Sequence, residues 1–235
     1  MTRRDRGHIL LEGGAEFEGQ MAAPDRRAIE LAGGYDARIR IIPTAAAPDH
    51  NHERAGSNGQ RWFTRLGAKN VEVLPLIDLA SANRADIVEA LRTSHLIYLL
   101  GGFTHYLGQT LAGSTGWQAM LAAYHAGAVI GGSSAGAMVL CQHYYDPESG
   151  RVMEGLGVVP NACVLPHHNT FGKGWATRLT ALLPDAVLIG IDERTGMLDD
   201  GEDGQWIVYG QGEATLYRGG RAVAYRPGDR FLLSP

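Results

Sequence analysis

The chain has 235 residues, 45% of them hydrophobic, and a formal net charge of −4 at pH 7. That length suits one α/β domain or two small ones and buries a core without disulfides; with no linker or clear boundary in the chain, residues 1–235 are expected to form a single domain. No basic block is longer than Arg3-Arg4, which argues against nucleic acid as a partner, and no apolar run approaches a membrane span.

The amino terminus, Met1-Thr2-Arg3-Arg4-Asp5-Arg6, is basic. Only Ile9-Leu10-Leu11 follows before Glu12 and two glycines, too short for a signal-peptide core. Cys141 and Cys163 both lie in apolar stretches and read as buried free thiols in a reducing compartment. A cytoplasmic location is therefore expected.

Short apolar runs mark strand candidates at His8 to Leu11, Arg38 to Ile42, Val71 to Leu74, His95 to Leu100, Ala128 to Gly131 and Ala186 to Ile191. Most are continuous rather than alternating, as expected of strands covered on both faces. Helical stretches lie between them, at Asp25 to Leu31, Glu53 to Leu66, Arg84 to Leu91 and Trp117 to His125. Asn83 is an N-cap candidate for the third. This alternation predicts right-handed crossovers and a mainly parallel sheet with helices on both faces, a three-layer α/β fold. After Ile191 the pattern changes. Gln205 to Tyr209, Glu213 to Tyr217, Ala222 to Tyr225 and Phe231 to Leu233 are short and separated by glycine turns, which predicts a C-terminal antiparallel β meander on the sheet's edge.

Gly131-Gly132-Ser133-Ser134-Ala135-Gly136-Ala137 follows the apolar run Ala126 to Ile130 and precedes the helix-like run Met138 to Cys141. Strand, glycine turn, serine and helix is the layout of a nucleophile elbow. Gly-x-Ser-x-Gly fits only with Ser134 at its centre, because a frame on Ser133 would put Ala135 where the second glycine belongs. A strained nucleophile turn needs small neighbours two residues away.

Nine histidines are available as a base. His167 and His168 follow the strand-like run Ala162 to Leu165 and Pro166, where a side chain reaches a cleft. Position favours them over His50 and His52 in the polar loop from Pro43 to Gly59, over His105 after Gly101-Gly102, and over His8, His95, His125 and His143 within elements. Asp192 and Glu193, after the strand to Ile191, are candidates to orient that base. The order is then serine, histidine, acid, unlike the α/β-hydrolases. Gly101-Gly102 ends another strand, and the N–H groups of Gly102 and Ala135 are candidates for an oxyanion hole. Gly13-Gly14 lacks the spacing of a dinucleotide loop and the lysine of a phosphate loop. His50-Asn51-His52-Glu53 has no accompanying HExxH or paired CxxC, so no metal is expected.

Four blocks in order resemble the cyanophycinase and dipeptidase E family of serine peptidases, which have a class I glutamine amidotransferase-like α/β fold. They are Tyr98-Leu99-Leu100-Gly101-Gly102; Gly132-Ser133-Ser134-Ala135-Gly136-Ala137; Gly155 to Pro160 with Leu165-Pro166-His167-His168; and Gly190-Ile191-Asp192-Glu193-Arg194-Thr195. The resemblance implies Ser134 as nucleophile, His167 as general base and Glu193 as acid, with Asp146 as the fallback acid. It implies Gly101, Phe103, His168 and Arg194 as substrate-binding positions, with Arg178 as a second candidate for a substrate carboxylate. No cofactor is implied, and the partner is a peptide or small amide substrate; a homodimer is open. Two departures concern the pocket. Leu165-Pro166 stands where cyanophycinases carry Asp-Gln, and Phe103 where relatives have a polar residue. These departures leave the substrate open and motivate an alternative, a binding or regulatory module on the same fold. Glutamine amidotransferase chemistry is disfavoured because those enzymes place cysteine at the elbow.

Overall fold

A computed structural model describes residues 6–233 of the chain; the basic run Met1–Arg6 lies outside these apart from Arg6. The first half follows the expected alternation. β1 (Ile9–Glu12) leads to α1 (Ala22–Leu31), β2 (Arg38–Ile42), α2 (His52–Arg65), β3 (Asn70–Val73), α3 (Leu79–Ala82) and α4 (Ala85–Arg92). β4 (Leu96–Leu99), α5 (Thr104–Leu111), α6 (Thr115–His125) and β5 (Val129–Ser133) complete it. The second half runs through α7 (Ala135–Leu140), β6 (Cys141–Asp146), β7 (Arg151–Glu154), β8 (Val159–Leu165), α8 (Ala176–Leu182) and β9 (Val187–Ile191). It ends with β10 (Thr195–Leu198), β11 (Trp206–Gly210), β12 (Ala214–Arg218), β13 (Arg221–Tyr225) and β14 (Arg230–Phe231).

The strands form two sheets. In the first, β1, β5, β4, β2 and β3 are parallel neighbours. Antiparallel β10, β11 and β14 extend it beyond β1. In the second, β6, β8 and β9 are parallel, with antiparallel β7 on one side and β12–β13 on the other. The terminal strands are thus antiparallel, as expected, but they do not form one contiguous meander. β11 and β14 join the first sheet, and β12 and β13 the second. The switch occurs at Gly210, whose φ is +102°. A Cβ there would lie 3.1 Å from the Cα of Thr195, so only glycine lets the chain cross so close to β10.

β4 illustrates why both faces are covered. Ile97 and Leu99 face one core with Leu11, Ile130, Val164 and Ile189, which belong to both sheets. Leu96 and Tyr98 face the other, with Leu10, Ile29, Ile39, Ile41 and Phe63 under α1 and α2. Period-two alternation sends successive side chains into different cores, and each buried aliphatic side chain contributes about 1.5–3 kcal/mol. All six residues of α7 are buried, so this short apolar helix sits within the core behind Ser134. It stops at Leu140, because Cys141 is already extended (φ −75°, ψ 165°). Tyr144 and Tyr145 then favour the strand β6, which the helix-like reading to Cys141 did not anticipate. Cys141 and Cys163 are free and buried. Among the described residues no helix is long and apolar enough to cross a membrane.

Candidate active site

Ser134 follows the end of β5 with φ +50° and ψ −111°, a conformation that costs energy for a residue with a side chain. The two flanking glycines are explained by contact. A Cβ on Gly132 would lie 2.7 Å from the nitrogen of Ala137, and one on Gly136 would lie 2.9 Å from the Cβ of Leu99. The neighbouring Ser133 is fully buried, and its hydroxyl donates to Glu16 Oε2 at 2.7 Å. The frame centred on Ser134 therefore puts the strain on the serine that faces the cleft.

His167 follows β8 and also has a positive φ, +48°. Its Nε2 is 3.2 Å from Ser134 Oγ, and its Nδ1 is 2.8 Å from Glu193 Oε1. The backbone N–H of Glu193 donates to Asn169 Oδ1 at 2.9 Å, which fixes the acid's approach. Phe171 stacks on the imidazole, with ring centroids 4.9 Å apart and planes 24° apart. Ser134 belongs to the first sheet, while His167 and Glu193 belong to the second. All three follow the carboxyl ends of parallel strands, where open α/β sheets place their ligands.

The end of β1 joins these pieces. The carbonyl of Glu12 accepts from the Ser134 N–H at 3.0 Å, that of Gly13 from His167 at 2.7 Å, and that of Gly14 from Arg194 at 3.0 Å. Three consecutive carbonyls thus position the serine, histidine and acid loops. Sequence reasoning set Gly13-Gly14 aside once a nucleotide loop was rejected. The available signal was a double glycine closing the first parallel strand, the same signal that marked Gly101-Gly102. Glu16, Asn169 and Phe171 were also missed, and nothing in their local pattern distinguishes them.

On the other side of Ser134, a Cβ on Gly101 would lie 3.3 Å from the serine Cβ. Gly102 has φ +137°, and a Cβ there would lie 2.7 Å from the carbonyl carbon of Ala45. Among the described residues, neither the Gly102 nor the Ala135 N–H has an acceptor. Beside Gly102 opens a cavity of about 500 Å³, lined by Phe103, His105, Tyr106, Asp146 and Glu148 among others. Phe103 is 37% exposed at its rim.

Asp146 does not touch His167. Its carboxylate accepts from the N–H groups of Glu148 and Ser149 and from the Ser149 hydroxyl. Burial pushes its pKa up, but these hydrogen bonds outweigh burial and hold it below the ordinary value. The fallback acid is therefore a turn-forming residue at the cavity wall, and Glu193 occupies the position beside Nδ1.

Three further candidates take other partners. His168 does not line the cleft: it is buried, its Nε2 lies 2.8 Å from the Tyr217 hydroxyl, and its Nδ1 lies 3.4 Å from Asp192. His167 departs from extended backbone at φ +48°, and the turn that follows sends His168 inward while His167 faces the cleft. Arg194 pairs with Glu18 at 3.2 Å on the surface, and its backbone N–H serves Gly14. Arg178 lies over the Tyr145 ring and donates to the carbonyl of Gly150.

The model of peptidase family S51 matches residues 9–207. A cyanophycinase from Geminocystis herdmanii is 30% identical over 232 residues, covering 94% of this chain and 83% of the relative. A cyanophycinase from a Nostoc species is 29% identical over 221 residues, covering 88% and 72%. Among solved structures, a peptidase from an acI-B1 actinobacterium superposes with a TM-score of 0.85 at 30% identity, covering 97% of both chains. A peptidase E protein from Listeria monocytogenes shares the fold, with a TM-score of 0.59 at 20% identity over 94% of this chain and 98% of its own. The match from β1 into β11, together with relatives similar along nearly the whole chain, makes this protein a member of peptidase family S51 and a serine-type peptidase.

Proposed function

We propose that the protein hydrolyses a peptide or isopeptide-type amide bond through an acyl-enzyme formed on Ser134. One observation carries this reading: the continuous chain from Ser134 Oγ to His167 Nε2 (3.2 Å) and from His167 Nδ1 to Glu193 Oε1 (2.8 Å). With Nδ1–H donated to Glu193, Nε2 is left as the acceptor facing the serine hydroxyl. Ser134 Oγ attacks the carbonyl carbon while Nε2 takes its proton. The tetrahedral oxyanion accepts hydrogen bonds from the Gly102 and Ala135 N–H groups. Collapse expels the amine, which leaves with the proton returned from Nε2. Water, deprotonated by the same imidazole, then releases the acid and restores Ser134.

The cavity beside Gly102 suits a short peptide group. Similarity to cyanophycinases supports an isopeptide-type substrate, while Leu165-Pro166 and Phe103 replace the family's polar residues near the charged substrate ends. Two buried free thiols support a reducing, cytoplasmic setting. The test is Ser134→Ala assayed on a panel of α- and β-linked aspartyl peptides. Loss of the nucleophile is expected to lower turnover by about 10³-fold or more. Turnover that survives the substitution refutes the mechanism.

A further inference from the structure

Beneath the elbow lie two carboxyl groups that the proposed mechanism does not use. Glu12, the last residue of β1, and Asp25, in the first turn of α1, are both fully buried. Tyr98 of β4 donates its hydroxyl to Glu12 Oε2. Trp62 of α2 donates its indole N–H to Asp25 Oδ2 at 2.7 Å. Each group thus has one satisfied oxygen, while Glu12 Oε1 and Asp25 Oδ1 are buried with no donor. The two carboxyl side chains interact with each other, and Pro24, the neighbour of Asp25, and Glu12 both lie against Gly196.

Among the described residues, the surroundings supply no positive charge. Glu16, in the loop after β1, adds another carboxylate to the field of both groups. Arg27, two residues along α1, is turned to Asp200 and Glu30 instead. From β10 the approach is backbone, with Gly196 lying against Pro24 and the Glu12 side chain. Two bare carboxylates here would bury two uncompensated negative charges, which is strongly unfavourable. One proton between them satisfies both orphaned oxygens at once, as an O–H donor to a carboxylate.

We propose that Glu12 and Asp25 share a single proton as an acid–carboxylate pair, and that this pair is a positioning element for the active site. It acts through the backbone. The Glu12 carbonyl holds the Ser134 N–H, and the next two carbonyls hold His167 and Arg194. The pair bonds β1 to α1, and through Tyr98 and Trp62 it reaches β4 and α2. It therefore fixes where those three carbonyls point. The positioning role rests on the reading of Ser134 as nucleophile; the shared proton does not.

Burial raises both groups, Glu12 well above the ordinary range and Asp25 to about 7 from 3.8. For a carboxyl raised in the folded state, its contribution to stability is full below 3.8 and is lost as pH rises to about 7.

The experiment compares wild type with Glu12→Gln, Asp25→Asn and Glu12→Ala. Infrared spectroscopy at pH 7 is expected to show a protonated carboxylic acid band in wild type that disappears in both amide variants. An amide donates to the remaining carboxylate without a titrating proton. The unfolding midpoint of Glu12→Gln relative to wild type is then expected to rise between pH 4 and pH 8. Labelling of Ser134 by a fluorophosphonate is expected to slow about tenfold or more in Glu12→Ala, since misplacements of about 1 Å cost up to about 10²-fold, and Glu12→Gln restores most of that rate. Absence of the acid band, or a midpoint difference independent of pH, overturns the shared proton. Equal labelling rates in Glu12→Ala and Glu12→Gln overturn the positioning role. If Glu12→Ala does not fold, labelling of Asp25→Asn takes its place against Asp25→Ala. Wild type that resists labelling while showing the acid band refutes the reading of Ser134 alone.

Discussion

A methyl group on Gly14 would lie 2.6 Å from Nε2 of His167. Gly14 also has φ +118°, so alanine there is strained as well as obstructive. Gly14→Ala is expected to push the imidazole off the serine and lower fluorophosphonate labelling about 10²-fold. The cost in stability is expected to be only about 1 kcal/mol or somewhat more. Stopped-flow labelling alongside urea unfolding separates the two effects. A folded Gly14→Ala protein labelled at the wild-type rate would show that the close approach has no functional role.

Glu193 and Asp146 are separable by substitution. Glu193→Gln removes the carboxylate from Nδ1 and disturbs the tautomer, and it is expected to reduce turnover by about 10³–10⁴-fold. Asp146→Asn loosens the turn at Glu148 and Ser149 and alters the cavity wall, so its effect is expected to fall mainly on KM. Steady-state kinetics on one substrate decides the matter. A larger loss of kcat in Asp146→Asn than in Glu193→Gln would reverse the assignment.

The two thiols are predicted to be inert in the folded protein. Burial pushes Cys141 well above its ordinary value and Cys163 up to about 12. The thiolate is the reactive form, so alkylation at pH 8 is expected to proceed only as the chain unfolds. Mass spectrometry after iodoacetamide treatment, with and without denaturant, reads this directly. Rapid modification of either cysteine without denaturant contradicts the burial.

His168 gives a pH dependence of the opposite sense to the carboxyl pair. Burial holds its pKa below the ordinary 6.5, and this outweighs the upward pull of Asp192. The neutral ring therefore contributes stability that is full above about 6.5 and is lost as pH falls through the lower folded value. Urea midpoints for wild type and His168→Gln are expected to converge between pH 8 and pH 5. A gap that widens on acidification would mean that the ring is protonated in the folded state.

Local chemistry made the first half of the fold readable. β1, β2, β4 and β5 are short apolar runs between glycines and helices, and their parallel pairing follows from that alternation. Ser134 was picked out because its glycine spacing has a single frame, whereas position left His167 beside His168 and Glu193 beside Asp192, and only the family resemblance chose between them. The division into two sheets was not readable, because β11 and β12 have similar strand patterns and only the close approach at Gly210 separates them. His168 was misjudged for a related reason. Adjacent histidines look alike in sequence, but the left-handed backbone at His167 sends one into the cleft and the other into the core. Glu12 was hidden at the end of an apolar strand, where a carboxyl group reveals its environment only through neighbours such as Asp25 and Tyr98, distant in the chain.

The proposed triad draws on both sheets, and this has a consequence for timing during synthesis. Ser134 and the proposed oxyanion donors, Gly102 and Ala135, emerge from the ribosome before the histidine, which lies 33 residues beyond the serine. The acid follows 26 residues after that. A nascent chain that has assembled only the parallel strands of the first sheet carries a silent hydroxyl with no base to activate it. Under the proposed mechanism, hydrolytic competence waits until β8 and β9 dock.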